Sequence, residues 1–293
     1  MDKESFDKLA AFQTKAESLR KRGETEELVS FVEKRVNEVV ENDESGVSFY
    51  QELLGDIHRE LGNASDAVKA YLGSLSSMQP KGMGEDYLSR YARINTAVAV
   101  LYEEDGQLRV AADYYGLALE AHEAGGESQT VKALGICNNV AFIRKTLEEY
   151  DAAETYYLKA LEICHAVFGP EHENTLVVYN NTATLYSVAG HLEQAKELCL
   201  TALKGVEKTE SVNTLDTAQI HLSLAHICEA LGDHIGCRRH YENSIRIYGN
   251  RIKDASDHYV EVADQYAKYL RSIGEEMEAF SVTQTANLRL RSA

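Results

Sequence analysis

The side chains of the types most able to do chemistry are histidines and cysteines, and their spacing falls short of a reactive set. His234, Cys237 and His240 stand three apart, a spacing that brings helical side chains together and offers the imidazole and thiolate donors zinc takes. Cys237, however, falls in a repeating column of small residues, so the trio reads as a structural thiol flanked by exposed imidazoles. Cys164 and His165 are adjacent, and neighbours on a helix point apart. His221 and His226, five apart, do not share a helical face. His172 sits in a loop, where capping or exposure accounts for it. The sequence contains no G-x-x-x-x-G-K-[ST], no G-x-G-x-x-G and no H-E-x-x-H, the patterns that would place phosphates, dinucleotides or zinc. It therefore predicts no catalytic set, no cofactor and no metal site, and a protein that is not an enzyme.

A second group of side chains suits holding rather than transforming. Asn138 and Asn139 form a doublet that returns as Asn180 and Asn181. An Asn amide carries both donors and an acceptor, so it can pair with an extended peptide backbone whatever that peptide's side chains are. In the same register stand Phe142 and Lys145 after the first doublet, Thr184 after the second, and Arg93 one unit upstream. These eight residues are the candidate partner-binding set.

The elements that must position them are repeats. Gly106, Gly190, Gly232 and Gly274 mark a period of 42 residues, with Glu148 standing where one glycine is missing; Gly23 and Gly62 extend the series upstream at slightly different spacings. Seven residues before each of these positions comes a small residue: Ala16, Gly55, Ala99, Ala141, Ala183, Ala225 and Ala267. Nine after it the column is mostly aromatic, with Tyr71, Tyr115, Tyr157 and Tyr241. Small residues let two helix axes approach closely, and a large ring fills the space beside them. Each unit thus reads as helix, short turn, helix. One hairpin cannot bury its apolar stripe, but stacked hairpins can, so seven units are expected. Two prolines in 293 residues agree with a chain made of helix interiors, which proline breaks.

The columns resemble the tetratricopeptide (TPR) pattern, with units eight residues longer than the common 34. In length and detail they are similar to the long repeats of kinesin light chains and their bacterial relatives. Residues 137–161 and 160–203 carry the likeness best, through the two Asn doublets and the linker FGPEHENT (168–175). The resemblance spans roughly residues 46–293. It implies an all-α, right-handed solenoid of about seven antiparallel helix hairpins, with first helices lining a concave groove. Residues 1–45, which lack the tyrosine column, read as a degenerate capping hairpin continuous with the solenoid at 46–293. The resemblance also implies a scaffold or adaptor that binds a protein or peptide segment through the Asn doublets. A self-assembling structural protein and a peptide-sensing regulator are the alternatives.

Composition narrows the partners. A net charge of −17 repels phosphate backbones, so nucleic acid is not expected. The five cysteines are widely spaced with no C-x-x-C, which fits reduced thiols. No segment approaches 18 uninterrupted apolar residues and the N-terminus has no apolar leader. Membrane is therefore not expected, and the expectation is a cytoplasmic chain that is monomeric or weakly self-associating.

Overall fold

The computed structural model describes residues 3–41, 46–78, 85–209 and 214–292. All regular structure among the described residues is helical. The elements are α1 (Lys3–Arg22), α2 (Thr25–Glu41), α3 (Val47–Glu60), α4 (Ala64–Ser77), α5 (Glu85–Glu104), α6 (Leu108–Ala124), α7 (Val131–Thr146), α8 (Tyr150–Val167), α9 (Glu173–Val188), α10 (Leu192–Lys208), α11 (Leu215–Ala230), α12 (His234–Asn250), α13 (Ile252–Ser272) and α14 (Glu276–Ser292). Odd and even helices pair into seven hairpins, as the period demands. They group into two compact units, residues 1–128 and 129–293, holding α1–α6 and α7–α14.

The turn column works through backbone geometry. Gly23, Gly62, Gly106, Gly190, Gly232 and Gly274 all have φ between 71° and 87°, the left-handed region that ends a helix. At Gly106 the amide donates to the Glu103 carbonyl at 3.0 Å and the next amide, of Gln107, reaches back to Tyr102 at 2.8 Å. This double closure satisfies carbonyls the helix leaves open. Glu148 makes the same pair of bonds, through Lys145 and through Glu149 to Arg144, but with φ 61° on a residue that has a Cβ. The left-handed region costs an L-residue about 1 kcal/mol. Glu148→Gly is therefore expected to raise stability by about 0.5–1 kcal/mol after the extra freedom of the unfolded glycine is subtracted, read as a rise of a few degrees in thermal midpoint.

Packing follows the other columns. Ala99, Ala141, Ala183 and Ala225 are fully buried, as are Ala111, Ala153 and Ala195 on the partner helices. Tyr71, Tyr115, Tyr157 and Tyr241 are among the largest fully buried side chains. Gly55 shows how tight the crossing is: a Cβ there would lie 2.6 Å from the Tyr71 ring. In the first hairpin, Phe12, Leu19, Val32 and Val39 share one core with Tyr50 and Ile57 of α3, so α1 and α2 pack as a repeat although they lack the tyrosine. In the second unit two cores run from α9 to α11 and from α11 to α14.

Candidate functional site

Seven of the eight sequence-selected residues lie on α7 and α9 of the second unit, and an amide bridge ties the two helices. Asn181 Nδ2 on α9 donates to Asn138 Oδ1 on α7 at 2.9 Å. That bond uses one donor of Asn181 and the acceptor of Asn138; the other ends of both amides are outside it. Asn139 is half-buried beside Asn138. Asn180 differs from the expectation for a contact residue. It is buried, and its Oδ1 faces the Cys199 thiol at 3.7 Å on α10. Of the second doublet, then, Asn181 is the member turned outward. The Thr184 hydroxyl donates to the Asn180 carbonyl at 2.9 Å, within its own helix.

Phe142 is an exposed aromatic side chain on α7, with the Lys145 ammonium 5.1 Å from its ring centroid. Burial holds Lys145 below the usual lysine range, because desolvation disfavours the charged form.

Tyr157 of the aromatic column lies on α8 and differs from its equivalents in other hairpins. In other units the core tyrosine donates its hydroxyl to an acid of the first helix. Tyr115 reaches Glu103 at 2.9 Å and Tyr241 reaches Glu229 at 3.5 Å, each twelve positions upstream. Tyr71 instead reaches Asp56 at 2.6 Å, one turn earlier. In the fourth unit those two positions hold Lys145 and Phe142, and the buried Tyr157 hydroxyl has no partner. Burial alone pushes this phenol up to about 12, so at neutral pH it is a donor without an acceptor.

Arg93, on α5 of the first unit, is already engaged. It pairs with Glu52 and, at 3.2 Å, with Asp56, so the structure places it in an ion-pair network within its own unit.

The histidine trio is dispersed. The His234 ring nitrogen meets the Tyr269 hydroxyl at 2.9 Å, and Cys237 is buried among the small residues. His240, expected to be exposed, is only 3% exposed, because its Nδ1 lies 3.0 Å from Nδ1 of His221 on α11. Among the described residues no three His, Cys, Asp or Glu side chains come together as a metal set. His172 caps α9, its Nδ1 accepting from the Asn174 amide at 3.2 Å. All five cysteines are buried free thiols. Among the described residues no helix is long and apolar enough to cross a membrane.

Comparison with known proteins agrees with this geometry. Residues 132–208 match the family model of the tetratricopeptide repeat; they are the α7–α10 hairpins that carry the Asn doublets. No curated protein sequence matches the chain. Among solved structures, BtubC (BKLC) from P. vanneervenii is 26% identical, with a TM-score of 0.61 over 82% of this chain and 92% of that one. A putative kinesin light chain with nearly identical TPR-like repeats, from Podosopora anserina, is 18% identical over 69% of this chain and 96% of that one, with a TM-score of 0.54. The apo form of RapI is 14% identical over 97% and 99%, with a TM-score of 0.60. The matched residues are thus of tetratricopeptide type, and the stacked hairpins of the rest of the chain share the fold of these solved structures, one whose repeats generally serve as protein-interaction surfaces.

Proposed function

We propose that this chain is a protein-interaction scaffold whose second unit receives an extended partner segment along α7 and α9, with a partner carboxylate at Lys145. The observation that carries this reading is the orphaned Tyr157 hydroxyl. Three tyrosines of the same column have an internal acid, and the fourth has a lysine and an exposed phenylalanine in the acid's two places. A ligand carboxylate supplies what the fourth unit lacks, a charge partner for Lys145 and an acceptor for the phenol, and hydrogen bonds to charged groups are the stronger kind. Phe142 adds an apolar contact next to it. Asn138, Asn139 and Asn181 would hold the backbone of the same segment, as strand-like peptides are held through main-chain bonds.

Lys145→Glu tests this reading because it separates folding from binding. It rebuilds the tyrosine–acid pair of the third and sixth units, so the thermal midpoint should rise with the roughly 1 kcal/mol of a recovered hydrogen bond. It should also lower affinity for a fluorescein-labelled decapeptide alternating Glu and Leu by at least tenfold. The same peptide with Gln for Glu should bind the unaltered protein about as weakly as the Glu peptide binds the variant. Equal binding of the Glu peptide to a stabilised variant would remove Lys145 from the site.

A further inference from the structure

We propose that a second copy of this chain packs against α14, antiparallel, about a twofold axis through Gln284. The last helix buries Ala279 and Ala286, with Val282 and Leu290 packed beside them. Its opposite side carries Met277, Phe280 and Leu288, which are 83%, 61% and 65% exposed. At 100° per residue these three lie within about 40° of Gln284, the centre of the outward face. Single exposed apolar residues need no explanation, but three on one stripe of one helix do.

The order of residues on that stripe is self-complementary. Antiparallel pairing centred on Gln284 sets Phe280 against Leu288 of the second copy and Leu288 against its Phe280. It sets Met277 against Arg291, whose aliphatic stem can cover a methionine. Charge follows the same symmetry: Glu276 in the first turn of α14 and Arg291 in the last flank the stripe, while Glu278 and Arg289 turn inward to Arg238 and Asn250. Reversal brings the acidic end of one helix to the basic end of the other, which also opposes the two helix dipoles favourably. A contact of this kind is isologous and closes at two copies.

The neighbouring units show why this face is open. Phe280 stands in the column of Glu154, Lys196 and Arg238. In the fourth, fifth and sixth hairpins that column side chain ties its hairpin to the following one: Glu154 to Tyr186, Lys196 to Asp233 at 3.1 Å, and Arg238 to Glu278. The seventh unit places an apolar ring there instead. Head-to-tail stacking, the other way to cover α14, would set this face on α1. The described exposed residues of α1 from Ala10 to Ser18 are Ala10, Ala11, Gln13, Thr14, Lys15, Glu17 and Ser18, with no large apolar side chain to meet Phe280. A helix of 17 residues is about 25 Å long, so the shared face is near the lower size limit of specific interfaces, about 1,000 Å², and the dimer is weak and concentration-dependent.

Because every native cysteine is buried, an introduced thiol reports on this face alone. Sedimentation of the full chain should show mass rising from monomer toward dimer between low and high micromolar concentration. Phe280→Glu with Leu288→Glu should stay monomeric at all of them, with an unchanged helical circular dichroism spectrum. Gln284→Cys should cross-link to itself with a short bis-maleimide. Met277→Cys should not, because antiparallel packing holds its two copies about 20 Å apart, fourteen residues of helix rise. A monomer at high concentration would sink the proposal. So would cross-linking at Met277→Cys as efficient as at Gln284→Cys, which would mean parallel packing, or assemblies growing beyond two copies, which would mean head-to-tail stacking.

Discussion

Lowering the pH from 7 to 4 is expected to weaken the α11–α12 hairpin by about 3 kcal/mol, and replacing His221 and His240 together should remove that loss. The two rings form a directed chain. A guanidinium only donates, so the contact of Arg239 Nη2 with His240 Nε2 at 3.1 Å leaves that nitrogen as an acceptor. His240 then carries its proton on Nδ1 and donates it to Nδ1 of His221, 3.0 Å away. Both acceptor nitrogens face donors, so neither ring can take a second proton without breaking a bond.

Burial is the main reason both imidazoles are held down to about 4, with Arg246 and Arg239 opposing charge on His221, and His221, Arg239 and Lys196 opposing it on His240. Asp233 acts weakly in the other direction on His240. In the unfolded chain both titrate near 6.5. Between these values the unfolded state binds more protons than the folded one, so stability is full above about 6.5 and falls as pH drops toward 4. One group shifted by about 2.5 units accounts for about 3 kcal/mol, and because the two rings share one hydrogen bond the coupled pair is counted once. Amide exchange in α11 and α12 at pH 7 and pH 4 measures the loss locally. His221→Phe with His240→Leu should flatten the difference between the two pH values, while the titration of exposed carboxylates continues in both proteins. A double variant that loses as much as the unaltered chain would assign the acid sensitivity elsewhere.

The fold was legible because its columns report one-body facts: which positions are small, aromatic or glycine. Ala141, Tyr157 and Gly190 could each be placed by type and spacing, and even the misfit Glu148 was located by period. The candidate site was legible only in part, because hydrogen-bond partners are two-body facts. Arg93 reads as a groove residue until Glu52 and Asp56 are found beside it. Asn180 reads as equivalent to Asn181 until one faces Cys199 and the other Asn138.

Some of this was recoverable. Side chains that tie successive hairpins stand close to one repeat apart, as with Asn138 and Asn181, His226 and Gln265, and Arg238 and Glu278. Pairs within a hairpin keep similar offsets: nineteen for His221–His240 and for Asn180–Cys199, twelve for Tyr115–Glu103 and Tyr241–Glu229, and fifteen for Tyr71–Asp56. Reading Tyr157 beside Tyr115 and Tyr241 would have flagged Lys145 as standing where those two have an acid.

Glu52→Gln is expected to loosen α3 and α5 by about 2–3 kcal/mol, the largest single-residue effect in the first unit. Glu52 is a buried carboxylate that accepts from Arg90 Nε at 2.9 Å and pairs with Arg93 as well. Arg90 also lies over the Phe49 ring, 3.5 Å from its centroid. Burial pulls both guanidiniums below their usual range, so each depends on its carboxylate. Removing one charge from a buried pair costs about 3–5 kcal/mol because it strands the other. Here the figure is reduced because Arg93 is partly solvated and keeps Asp56 at 3.2 Å.

The same argument predicts a recovery. Glu52→Leu combined with Arg90→Met removes the stranded charge and keeps the volume and the stacking on Phe49, and such swaps are often neutral. The double variant should regain most of what Glu52→Gln loses. Amide exchange across α3–α6 reads the effect, and α7–α14, packed in a separate compact unit, should exchange as before. If Glu52→Gln left α3 and α5 as protected as before, the ion pairs would be decoration on a hairpin stack held by its alanine and tyrosine columns alone. If it exposed α7–α14 equally, the two units would have to unfold as one cooperative body.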